Sequence, residues 1–168
     1  MANAQTVIPY HGPFPVPPLN KNSLFYLQRT LDKNTVMYEV NYTATGTINR
    51  KKPLKIYWID FEEGGKISAL TFAQNKFAYG IESLEIKGTE TIFKINLVSY
   101  KKIDMYLKPG GKNGSYEMHV IINGKPSILS SILVHITGGT YLKPIISHIE
   151  LKGKDLTTGE AAEEKIKL

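Results

Sequence analysis

From Ser23 onward the chain repeats one pattern: runs that alternate apolar with polar residues, cut by Gly, Asn, Asp or Pro about every 8–12 residues. A period of two places successive side chains on opposite faces of a strand, and many short strands at this spacing restrict the fold to a sandwich or a barrel. Ser23–Thr30 is the first such run. In the second, Val36, Tyr38, Val40 and Tyr42 alternate with Met37, Glu39, Asn41 and Thr43, and Asp32-Lys33-Asn34 reads as the hairpin turn before it. Further strands are expected at Ser83–Lys87, Thr91–Tyr100, Asp104–Lys108, Tyr116–Ile122, Ser127–Thr137, Ile145–Lys152 and Glu163–Leu168. Gly88-Thr89, a basic corner at Lys101-Lys102, Pro109–Gly114, Gly138-Gly139 and Thr157-Thr158-Gly159 separate them, and Asn123-Gly124 is a type I′ hairpin signal.

The stretch Leu54–Gly80 carries the most local information. Leu54, Ile56 and Trp58 share one face of a strand and Tyr57, Ile59 and Phe61 the other, so Leu54–Phe61 should be covered on both sides. It is expected to be a central strand with the others arranged around it and with Trp58, the only Trp, buried. Gly64-Gly65 breaks it. Ile67, Leu70, Gln74 and Phe77 then fall at helical intervals, with Gly80 as the residue that ends a short helix. The fold class is therefore mainly β: an antiparallel β-sandwich of about nine strands with one short helix, or alternatively a partly closed β-barrel.

Five prolines between Pro9 and Pro18 exclude a helix or an interior strand from the N-terminal stretch. Residues 1–22 read as a Pro-rich arm and residues 23–168 as a single β-rich domain. Tyr10, His11, Phe14, Val16 and Leu19 suggest that part of the arm lies against that domain. Ala2-Asn3-Ala4 before Gln5 has the small-residue character of an export cleavage site, so the expected location is periplasmic or secreted, with the cytoplasm as the alternative. No apolar run is long enough to cross a membrane as a helix.

The segments NSLFYLQRT (Asn22–Thr30), NTVMYEVNY (Asn34–Tyr42), YWIDF (Tyr57–Phe61), FAYG (Phe77–Gly80), VSYKK (Val98–Lys102) and GKDLTTGE (Gly153–Glu160) occur here in this order. In them the chain resembles a bacterial family catalogued as a domain of unknown function, numbered 4833. The resemblance covers Asn22 to about Leu168. It implies a single compact domain, often exported, and carries no assigned catalytic residues.

Chemistry is sparse. With no Cys, thiol catalysis, thiolate zinc sites and disulfides are excluded. No Ser lies in a G-x-S-x-G elbow, and the glycine pairs lack the Lys-Ser/Thr of a phosphate loop. His119, His135 and His148 fall on three successive expected strands, where they could meet around a metal, and His148 shares a face with Glu150. A metal-dependent hydrolase is one alternative reading on that basis. A barrel carrying a small apolar ligand is another.

The favoured reading is a non-enzyme without a cofactor, an exported or envelope domain with a binding or structural role. Its suitable partners are a glycan or other polar polymer, or an envelope protein. Ten Tyr and six Phe accompany 21 Lys and Arg, and the net charge is +6. Exposed aromatics stack on sugar rings and lysines attract anions. Tyr79, Tyr100, Lys101, Lys102, Tyr141 and Lys143 are the candidate ligand-binding residues. Sequence-specific nucleic-acid binding is not expected, because no recognition motif is present and Glu160, Glu163 and Glu164 interrupt any continuous basic face.

Overall fold

The computed structural model describes residues 5–87, 92–141 and 143–168. The expected turn at Gly88-Thr89 and the small-residue stretch Ala2-Asn3-Ala4 lie outside the described residues. Eleven strands run in the order β1 (Ser23–Arg29), β2 (Asp32–Val40), β3 (Leu54–Asp60), β4 (Lys66–Ala69), β5 (Ile81–Lys87), β6 (Ile92–Leu97), β7 (Tyr100–Pro109), β8 (Tyr116–Ile122), β9 (Lys125–Gly139), β10 (Pro144–Asp155) and β11 (Ala161–Lys167). Between β4 and β5 lies one short helix, α1 (Phe72–Gln74), continued by a wider helical turn over Asn75–Tyr79.

All eleven strands belong to one hydrogen-bonded sheet that curls into a half-barrel, consistent with the partly closed barrel. Along the main path the order is β4-β3-β2-β1-β9-β8-β7-β6-β5, and β10 and β11 continue from the other side of β9. Pairing is antiparallel except between β1 and β9, which run parallel.

The strand that organises this sheet is β9. It pairs β8 through Lys125–Ile128, β1 through Ser131–Val134, and β10 along most of its length. The handover occurs at Ser130, which has no partner between the pairs Leu129–Gly153 and Ser131–Lys152. That extra residue is a β-bulge, which bends a strand and resets its alternation. The buried residues accordingly change parity, from Ser127 and Leu129 to Ile132, Val134 and Ile136.

β3, expected at the centre, lies one strand in from the sheet's edge. It is nevertheless covered on both sides. Leu54, Ile56 and Trp58 pack into the main core, while Tyr57 and Ile59 join Met37 in a second cluster on the opposite face. The main core includes Phe25 and Tyr38, stacked at 4.3 Å between ring centroids, with Phe93, Ile95, Leu107, Met118 and Ile149. Each such large apolar side chain contributes on the order of 1.5–3 kcal/mol by leaving water.

Two expected turns and the expected helix move. β2 already begins at Asp32, so the first hairpin turns at Thr30-Leu31. Lys101 and Lys102 lie inside β7, and the reversal falls at Val98-Ser99. The helix expected from Ile67 is replaced at its start by β4, whose Ser68 pairs with Trp58. Of the apolar residues in that spacing, Leu70 packs against the core, while Ile67 and Phe77 are more than 60% exposed. Helix begins instead at a capping box: Thr71 Oγ1 accepts from the Gln74 N–H at 3.1 Å and Gln74 Oε1 from the Thr71 N–H at 2.8 Å. Asn123 and Gly124 both have positive φ, 51° and 76°, as the type I′ turn requires.

The Pro-rich arm is laid onto the domain. Val7 is buried in the main core and its N–H donates to the Gly139 carbonyl at 2.9 Å. The Tyr10 N–H donates to the Thr30 carbonyl at 2.8 Å. The arm then reaches the second cluster's face, where Gln28 Nε2 donates to the Pro15 carbonyl and Asn20 Nδ2 to Glu39 Oε1, each at 2.8 Å. Glu39 is almost fully buried there and also accepts from the Tyr57 hydroxyl at 2.7 Å.

Candidate functional site

Arg29 ends β1, and the tight turn that follows brings Asp32 back beside it. Arg29 Nη2 contacts both Asp32 carboxylate oxygens, at 3.2 and 3.3 Å, and Nη1 donates to the Tyr79 hydroxyl at 2.8 Å. Two rings grip the same guanidinium. Its carbon lies 4.6 Å from the Trp58 ring centroid and 5.6 Å from that of Tyr79, and the two rings meet edge to face at 5.2 Å. Trp58 arrives there because the β1-β2-β3 register aligns Leu27, Val36 and Trp58 across the sheet.

Arg29, Asp32 and Trp58 border a cleft of about 380 Å³, within the ~300–1,000 Å³ range of small-molecule sites. Asn34, Asp60, Ser68, Thr71 and Gln74 line the rest of it. Arg29 Nε and Trp58 Nε1 are buried donors with no hydrogen-bond partner among the described residues. Burial pushes the Tyr79 hydroxyl above its ordinary value, with Arg29 acting against that shift, so the phenol stays neutral. A second groove, of about 680 Å³, shares Ala69 with this cleft. It runs between β3 and β5 and is lined by Lys51, Lys52 and Lys55, with Glu82 the one carboxylate among the described residues that line it. Exposed Phe72 and Phe77 lie on the helical segment, with the Lys76 ammonium 5.5 and 5.3 Å from their ring centroids.

The structure disperses the residues expected to bind ligand. Tyr79 does not line the cleft itself but contacts two residues that do, Arg29 and Trp58. Tyr100 is corrected to a core residue: 6% exposed, it presents no ring face to a ligand, and burial raises its hydroxyl well above the ordinary value. Aromatic-lysine spacing in sequence does not distinguish an exposed ring from a core ring. Lys101 and Lys102 are exposed on β7, and Lys101 pairs with Glu82 at 3.0 Å. Tyr141 and Lys143 are exposed on the β9–β10 connection. Arg29 and Trp58 were missed as a pair because their meeting depends on strand register.

Of the three histidines, two meet. His135 on β9 and His148 on β10 are register partners, and their rings stack with centroids 4.0 Å apart. Glu150 Oε2 lies 2.8 Å from His135 Nε2, and one donor atom from each of the three residues falls within 4.8 Å of the others. His119 is corrected out of this group. It stands opposite Ile128, roughly 20 Å along β9 from His135, because β8 leaves β9 before the bulge. His119 instead sits near Glu117, at 3.9 Å.

Among the described residues no helix is long and apolar enough to cross a membrane. The profile of a family described as a domain of unknown function (DUF4833) matches residues 25–165. The chain belongs to that family. Neither curated proteins nor solved structures yield a match.

Proposed function

We propose that this DUF4833 domain is a non-enzymatic binding module for an anionic carbohydrate, held in the Arg29–Trp58 cleft and along the adjoining lysine groove. The observation that carries this reading is the guanidinium pinned between two rings with donor groups unspent at a polar cleft. Carboxylates such as Asp32 and Asp60 accept from paired sugar hydroxyls, while Arg, Asn and Trp N–H groups donate to sugar oxygens. Phe72 and Phe77 supply apolar faces against which sugar C–H groups stack. Lys51, Lys52 and Lys55 extend the site toward acidic groups farther along a chain. The same proposal places the domain outside the cytoplasm, and recovery of the protein in the cytoplasmic fraction of its own cells would contradict that part.

Trp58 is the only Trp, so its emission reports on the cleft directly. Titration with uronate-containing oligosaccharides should give a saturable emission change, with neutral oligosaccharides binding more weakly. Asp60→Asn should weaken binding at least about tenfold by calorimetry, the loss of one charge-assisted hydrogen bond. An array of acidic and neutral glycans with no binder, or a binder that leaves Trp58 emission unchanged, would refute the assignment.

A further inference from the structure

The second cluster of chemistry-bearing side chains lies away from the cleft, on the face of β9 and β10 that turns away from the main core. Val134 and Ile149 point into the core, and the alternation puts His135, His148 and Glu150 on the other side. Cross-strand partners bring their side chains within direct reach, and Glu150, two residues from His148, spans the diagonal to His135. We propose that His135, His148 and Glu150 form a binding site for a divalent transition-metal cation of the zinc class, with coordination positions left open to solvent.

The hydrogen bonding around His148 supports this. Ser147 Oγ lies 2.8 Å from His148 Nδ1 and orients the ring, with the His135 carbonyl 3.4 Å from the same hydroxyl. In the tautomer that carries its proton on Nδ1 the lone pair is on Nε2, and Nε2 is buried without a partner among the described residues. An imidazole oriented through its other nitrogen and left with a bare lone pair is the arrangement metal-binding histidines adopt.

The surrounding charges leave the donor set intact. Lys165 Nζ is 3.6 Å from Glu150 Oε1, and the Glu150 oxygen facing His135 is Oε2. Lys152 and Lys167 are the other cations acting on the cluster. Uptake of a cation replaces the hydrogen bond between His135 Nε2 and Glu150 Oε2. Two imidazoles and one carboxylate select zinc, copper, nickel or cobalt over calcium or magnesium, which prefer all-oxygen shells. The three residues are each partly exposed, although His148 Nε2 itself is buried.

The test uses the full chain, without a histidine tag and stripped with chelator. Calorimetry with zinc chloride should find one cation per chain, with calcium and magnesium binding far more weakly. His148→Ala and Glu150→Gln should each weaken zinc binding at least tenfold, and His119→Ala should leave it unchanged. Copper added to wild-type protein gives a readout independent of any variant: its electron paramagnetic resonance spectrum should show coupling to two nitrogens. Absence of stoichiometric zinc uptake by wild-type protein, wild-type affinity in His148→Ala, or an oxygen-only copper spectrum would overturn the site.

Discussion

Thr30→Val tests the junction where the arm, β1 and β9 meet. The Thr30 hydroxyl donates to the Ile136 carbonyl at 3.0 Å and accepts from the Ile136 N–H at 2.7 Å, standing in for a strand where the β1–β9 ladder ends. Thr30 is 5% exposed, so water cannot replace the lost group. Valine keeps the shape and removes both hydrogen bonds, leaving a buried N–H unpaired at about 1–3 kcal/mol and a carbonyl without its donor at about 1 kcal/mol. The expected loss is about 2–4 kcal/mol, and a chain of this size shifts its melting temperature by roughly 2–4 °C per kcal/mol. Thr30→Ser keeps the hydroxyl and loses one methyl, for about 0.8 kcal/mol. Urea unfolding followed by Trp58 emission measures both. A Thr30→Val loss under about 0.5 kcal/mol, well below the cost of an unpaired buried group, would refute the reasoning, as would a Thr30→Ser loss equal to it.

Other perturbations probe the remaining regions. A Cβ on Gly80 would collide with the Asn75 carbonyl that its own N–H bonds at 3.0 Å, so Gly80→Ala should cost about 1–3 kcal/mol, whereas Gly138→Ala meets open space and should be near neutral; similar melting temperatures for the two would count against this. Arg29→Met removes the hydrogen bonds to Asp32 and Tyr79 and should cost about 1.5–3 kcal/mol while changing Trp58 emission; an unaltered spectrum would deny the guanidinium–indole contact. Burial first and Lys108 second hold His119 below its ordinary value of 6.5. The unfolded chain then binds more protons, so stability from neutral His119 is complete above pH 6.5 and lost as pH falls below it. His148 is lowered too and adds to the same decline. His119→Gln should flatten the fall in melting temperature between pH 7 and about 5.5, and a slope parallel to wild type would exclude His119 as a contributor.

Local features were readable from the residues, and long-range ones were not. Tyr116–Ile122 announces itself by alternation and ends at the Asn123-Gly124 turn. The two-sided burial of β3 follows from apolar residues on both of its faces. Lys66–Ala69 misleads because four residues cannot establish a period of two, and the apolar spacing around them also fits a helix. The β6–β7 reversal at Val98-Ser99 contains no Gly, Pro, Asn or Asp, so no turn chemistry marks it. The parity break from Leu129 to Ile132 is visible as adjacent serines, but only strand pairing shows that it transfers β9 from β8 to β1. The candidate sites divide the same way. His135 and His148 lie on consecutive strands joined by a short connection, so their meeting follows from the hairpin. Arg29 and Trp58 are brought together by the register of three strands, and Tyr100 by a core whose occupants periodicity does not rank.

The parallel pairing of β1 with β9 sets a schedule for biosynthesis. Thr30 and Ile136 are 106 positions apart, so at about 5–20 residues per second the first strand waits roughly 5–20 s for its neighbour to be translated. During that interval β1 and β2 can already form a hairpin, with the far side of β1 unclaimed. The arm cannot seat either, because the Gly139 carbonyl that anchors Val7 has yet to emerge. A nascent chain therefore carries an open strand edge and a loose proline-rich leader through most of its synthesis, which makes β1 the segment a holding chaperone would need to shield.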